Sequence, residues 1–154
     1  MKVLCIGVGN ELRGDDVVGR LTVRLLRYQS LPDTTFIEAT GEGAALMDAW
    51  ADAKAVFLID AVSAGQPAGT IYRFLAHSQA LPAQFFSYST HAFSVAEAVE
   101  MARVLGQLPP HFIIYGIEGE NFAAGASISP AVEKAVHEVI RQISAEIHAL
   151  HSHV

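Results

Sequence analysis

Acids and one histidine carry the chemistry of this 154-residue sequence. The first group lies in "GVGNELRGDD" at 7–16, where glycines and Asn10 lead into the adjacent Asp15 and Asp16. Asp60 follows the apolar run "AVFLI", His91 sits within "SYSTHAFS", and Glu118 and Glu120 belong to "GIEGENF". Two carboxylates and an imidazole suit a divalent cation with coordination positions left open. The same groups serve general acid–base work. Each residue also has a plainer reading. Asp15 or Asp16 alone caps a helix, His91 alone is a loop histidine bonded to backbone, and Glu118 and Glu120 are solvent-facing loop charges. Asp60 resists such a reading, because a charge ending so apolar a run is costly unless it is solvated or paired.

The elements that must position these residues show as apolar runs alternating with helical stripes. "KVLCIGV" (2–8) and "AVFLID" (55–60) are near-continuous apolar runs, as expected of central strands covered on both faces. "TTFIEA" (34–39) and "FIIYGI" (112–117) read as further strands, and "TIYRFL" (70–75) alternates like a more exposed edge strand. Helical spacing follows Asp16 (Val17, Val18, Leu21, Leu25, Leu26), recurs in 44–50 and from Ser94 to Leu105, and is clearest at the end. There Ser129 can cap a helix opened by Pro130, with a stripe of Val132, Val136, Val139, Ile140, Ile143, Ile147 and Leu150. The order β-α-β-α-β-β-α-β-α contains no linker or repeat. It predicts a single domain over 1–154, an α/β three-layer sandwich whose mainly parallel five-stranded sheet carries helices on both faces. Ligands of such sheets bind outside the C-terminal strand ends. Four loops would bring Asn10, Asp15 and Asp16, then Asp60, then His91, then Glu118 and Glu120 to that one rim.

Composition removes other classes. The net charge of −6, without any Lys/Arg run, argues against nucleic acid or an anionic membrane surface as partner. No apolar stretch approaches the roughly 18 residues of a membrane span, and the N-terminal apolar segment is too short for a signal peptide. Cys5 is the single cysteine, so no intramolecular disulfide and no cysteine-based zinc site is expected, and a cytoplasmic location follows. Within an apolar strand, Cys5 reads as a buried inert thiol. The glycine spacing is not the dinucleotide pattern, no Walker motif occurs, and aspartates at the helix start would repel a pyrophosphate. No G-x-S-x-G elbow or H-E-x-x-H is present. His148, His151 and His153 of the tail read as a frayed helix end rather than a metal site.

Taken together, "GVGNELRGDD", the "DA" after the third apolar run, the "STH" before the third helix and "YGIEGENF…ISPAVEKAV" resemble the hydrogenase maturation proteases. These endopeptidases trim the C-terminal extension of [NiFe] hydrogenase large subunits, and the resemblance spans nearly the whole chain. It implies a phosphorylase/hydrolase-like sandwich and a rim trio of metal-binding, catalytic residues that falls on Asp16, Asp60 and His91. The metal it implies is nickel carried by the precursor, with other divalent cations able to occupy the site in vitro. The trio would recognise that nickel and set the scissile bond beside it, and a carboxylate or a metal-activated water would attack the carbonyl. Family members have been classed both as aspartic and as metal-dependent peptidases. The implied partner is a [NiFe] hydrogenase large-subunit precursor, and the implied protease is a monomer. Asp16 is then the ligand, with Asp15 capping the helix and holding it in place.

Two departures accompany the resemblance. Val17 stands where many relatives have Gly, and "EATGEG" (38–43) replaces a D-G-G-T-like stretch. Gly41 survives there, with Glu38 or Glu42 as stand-ins for the missing Asp, which points to a subgroup with a different hydrogenase partner. Asn10, Asp15, Gly41 and Glu120 are accordingly secondary candidates. The alternative from another class is a non-catalytic metal-binding or chaperone-like module that docks on a metalloprotein.

Overall fold

Continuous apolar runs fix the centre of the sheet. In the computed structural model, which describes residues 2–86 and 93–152, strands β1 (Val3–Val8), β3 (Ala55–Val62) and β5 (His111–Glu118) lie side by side and parallel. Every residue of β3 is buried, as a strand covered on both faces requires. The half-buried β2 (Thr34–Ala39) flanks β1 in parallel. The alternating β4 (Ile71–Leu75) closes the other edge antiparallel to β5. The resulting order is β2-β1-β3-β5-β4.

Helices cover both faces. On one, α1 (Val18–Leu26) and α4 (Pro130–Ser152) pack on odd-numbered residues of β3, including Phe57, Ile59 and Ala61. On the other, α2 (Gly43–Trp50) and α3 (Val95–Val104) pack on Val56, Leu58 and Val62. The stripe expected of α4 is buried from Val132 to Ile147, with Leu150 packed at its margin. That helix continues to Ser152. His148 and His151 are helical, with His151 Nδ1 2.9 Å from the Ile147 carbonyl, and His153 lies outside the described residues. Cys5 is fully buried and desolvation pushes its thiol up to about 12, which keeps it protonated.

The strand order reverses beside β1. The chain leaves β1 through α1 on one face to reach β2, then returns through α2 on the other face to reach β3. The C-terminal ends of β1 and β3 therefore border the crevice in which open α/β sheets bind ligands. Between β1 and α1 a 3-10 turn, Gly14–Val17, carries the acidic pair and packs against β3.

Candidate functional site at the switch-point rim

Backbone contact comes first, because it decides where the acids sit. The Asn10 amide donates to the Asp16 carbonyl at 3.2 Å, and the Asp16 amide donates to the Arg13 carbonyl at 3.0 Å. Gly9 makes this closure possible: a Cβ there would lie 1.9 Å from the Asp16 carbonyl oxygen. At the start of α1, a Cβ on Gly19 would lie 2.2 Å from the Ile59 carbonyl oxygen and 2.3 Å from that of Val8. Two glycines thus let the turn and the helix press directly onto β1 and β3. Asp16 is left half-buried at the mouth of the crevice.

Asp60 does not end its strand as expected. β3 runs two residues past it to Val62, so Asp60 belongs to the strand rather than terminating it. Side chains alternate across a strand, which puts Asp60 on the α2/α3 face between Leu58 and Val62. It is 5% exposed, and Oδ1 accepts the Ala61 amide at 2.8 Å. Its register partner on β5 is Gly116, which places no side chain beside the carboxylate.

Asp15 and Asp16, adjacent in sequence, have separate surroundings. Asp15 is fully buried. Its Oδ2 accepts the Glu120 amide (2.9 Å), the Asn121 amide (3.1 Å) and the Ser129 hydroxyl (2.8 Å), and its Oδ1 accepts the Ser129 amide (2.7 Å). Burial alone would raise this carboxyl, but the four donors together outweigh burial and bring it below the ordinary range. Asp15 therefore does not cap its own helix. Neither N-cap position there, Arg13 or Val17, makes a side-chain cap bond. Asp15 ties its turn to the segment before α4 instead. Ser129, expected as a cap, turns its hydroxyl toward Asp15, while its carbonyl accepts the Glu133 amide in the first turn of α4.

Glu118 is likewise no loop charge. It is the last residue of β5, 2% exposed, and accepts the Ala64 amide at 2.9 Å and the Tyr72 hydroxyl at 2.8 Å. Burial first, and then this bond, push the Tyr72 phenol up to about 12, so it stays a neutral donor. Glu118 thereby clamps the chain that leaves β3 just beyond Asp60. The signal that singled out Asp60, a charge closing an apolar run, also marked Glu118 at the end of "FIIYGI".

The remaining candidates divide between scaffolding and surface. Asn10 is exposed, and its Oδ1 accepts the Leu12 amide at 2.9 Å to close the turn. Gly41 has a positive φ of 98° in the bend before α2. Glu42 caps α2 through the Ala44 and Ala45 amides. Glu38 accepts Arg20 Nε at 3.0 Å and Arg24 Nη2 at 2.7 Å, and Arg24 followed by Arg20 holds its carboxyl down to about 2 despite partial burial. Both stand-ins for the missing Asp thus have structural duties. Glu120 is exposed, and its amide serves Asp15. His91 lies outside the described residues. Among the described residues on either side of it, the Phe85 carbonyl accepts from the Ser63 amide just beyond β3, and the Phe93 carbonyl accepts from the Gly43 amide at the start of α2. Among the described residues no three His, Cys, Asp or Glu side chains form a metal-holding group. Of the expected trio, the described residues include Asp16, half-buried on the turn after β1, and Asp60, buried within β3.

Known proteins share this fold. Residues 19–146 match a family model described as hydrogenase maturation protease. The match starts three residues beyond Asp16 and contains Asp60 and His91. The chain is 25% identical over 151 residues to the hydrogenase 2 maturation protease of Escherichia coli K12, covering 96% of this chain and 91% of that one. The solution structure of an endopeptidase from E. coli superposes with a TM-score of 0.80 at 26% identity, over 93% of this chain and 90% of the other. The E. coli hydrogenase maturating endopeptidase HybD shares the fold, with a TM-score of 0.77 at 22% identity over 97% and 93% of the two chains.

Proposed function

The chain belongs to the hydrogenase maturation protease family, and from that premise we propose that it removes the C-terminal extension of a [NiFe] hydrogenase large-subunit precursor after nickel insertion. The observation that carries this reading is the meeting of the Asp16 turn with β3, the strand of Asp60, at the switch point of the sheet. Nickel is part of the substrate on this reading. Asp16 and Asp60 supply anionic oxygens and His91 an imidazole nitrogen, a donor set that suits a divalent first-row metal. Recognition of the metal would set the scissile peptide against the rim, so that a precursor without nickel is not cut.

The enclosed Asp60 would keep its direction through the Ala61 amide, while the half-buried Asp16 faces the incoming chain. Attack on the peptide carbonyl, by a carboxylate or by a metal-activated water, would then take place between them. Among the described residues no helix is long and apolar enough to cross a membrane. We place the protein in the cytoplasm, acting as a monomer on a much larger partner.

Replacement of the chromosomal copy by Asp16→Asn tests the proposal. Large subunit should accumulate with its extension intact. Normal trimming in that strain would remove the protease reading and favour a docking module.

A further inference from the structure

The rim holds a buried carboxylate that the proposed chemistry does not use. Asp15 accepts four hydrogen bonds, every one from residues 120, 121 and 129 across the rim. Backbone bonds add to the link: the Asp15 amide donates to the Asn121 carbonyl at 2.8 Å, and the Gly125 amide donates to the Leu12 carbonyl at 2.8 Å. Gly14 lets the two backbones meet, since a Cβ there would lie 2.2 Å from the Asn121 carbonyl oxygen. The turn bearing Asp16 and the segment leading into α4 are therefore a single hydrogen-bonded body with Asp15 at its centre.

We propose that Asp15 is a positioning residue: its carboxylate latches the 3-10 turn to residues 120–129 and so fixes the direction in which Asp16 meets the substrate. This inference rests on the peptidase reading of Asp16. Asp16 follows Asp15 within the same short turn, so any shift of the latch is passed on through one peptide unit. Only a carboxylate fits. Four donors converge on its two oxygens, and an amide in its place would turn an NH2 group toward at least one of them. The turn is also held by the backbone bond between Asn10 and Asp16, made by a residue that is itself exposed.

The test compares purified Asp15→Asn, Asp16→Asn and wild type on nickel-loaded precursor, with amide hydrogen exchange measured on the same samples. Asp15→Asn should speed exchange at Glu120, Asn121 and Ser129. It should lower kcat about 10- to 100-fold, the range found when supporting partners of ligands are removed, while KM stays within about threefold. Loss of a merely structural contact would lower the melting temperature and leave kcat per folded molecule alone. Wild-type kcat in Asp15→Asn, folded at the assay temperature, overturns the proposal. Should that variant not fold, Ser129→Ala and Ser129→Thr replace it: alanine should lower kcat, threonine should restore it, and an unchanged kcat in the alanine variant overturns the proposal equally. Cleavage retained in Asp16→Asn instead removes the peptidase reading on which the inference rests, so the two failures are distinguishable.

Discussion

The two ends of the sheet are built to opposite rules. Toward the C-terminal end, Asp15, Asp60 and Glu118 are buried, and each accepts at least one hydrogen bond from a backbone amide. At the N-terminal end, a cleft of about 480 Å³ is lined by Met47, Trp50, Leu108 and Pro109, and its charged residues Asp52 and Lys54 are exposed. Removing a carboxylate from water is costly unless its hydrogen bonds are replaced. A chain that meets this cost repeatedly at one end and not at the other marks that end as the one with a task. The opposite end is held by packing, as Trp50 shows, 1% exposed and edge-on to Phe112 at 4.9 Å.

Substitutions should expose this division, with rim changes reducing turnover and changes at the far end reducing stability. The largest effect is expected for Asp60→Asn, which should cut precursor cleavage on the order of a thousandfold or more in single-turnover assays while the circular dichroism of the fold is retained. Next comes Trp50→Ala, expected to cost about 3–5 kcal/mol in urea unfolding through the cavity it leaves, with cleavage per folded molecule unchanged. Gly19→Ala straddles the two regions. Its Cβ has no room against the Ile59 and Val8 carbonyls, so α1 must shift at a cost of about 1–3 kcal/mol, and turnover should fall with stability because the Asp16 turn moves too.

The smallest effect concerns acid stability. Arg24 and Arg20 hold Glu38 down to about 2, from an ordinary value of 4.5. A carboxyl depressed in the folded state stabilises above its unfolded pKa and loses that contribution as pH falls through the folded one. The Glu38 contribution should therefore be complete at pH 7 and disappear between about 4.5 and 2. Glu38→Gln should be less stable than wild type at pH 7, by an amount that shrinks with added salt and vanishes near pH 2, as read from denaturant midpoints.

Much of the scaffold could be read from the chain because its signals are local. Apolar runs marked the central strands, alternation marked β4, and the stripe from Val132 to Ile147 marked α4. Asp60 was legible as a charge too costly to be incidental. What escaped was non-local. Asp15 looks like a helix cap because its partners, Glu120, Asn121 and Ser129, lie more than a hundred residues away. The extent of β3 was missed because Asp60 reads as a strand end, whereas the register with β5 continues to Val62 opposite Glu118. Gly19 carries no motif on its own, and its necessity emerges only when α1 is laid on β1 and β3. Glu38 and Glu42 drew notice as acids near a motif, yet their roles depend on two arginines and on the two amides that open α2.

On the proposed function, the Asp16–Asp60 rim would cut a precursor because it recognises the nickel that precursor carries. Intact-mass measurement of purified large-subunit precursor, nickel-loaded and nickel-free, after incubation with this protein tests it most directly. The nickel-loaded form should lose its C-terminal extension while the nickel-free form keeps its full mass. Equal trimming of both forms, or of neither, would contradict it.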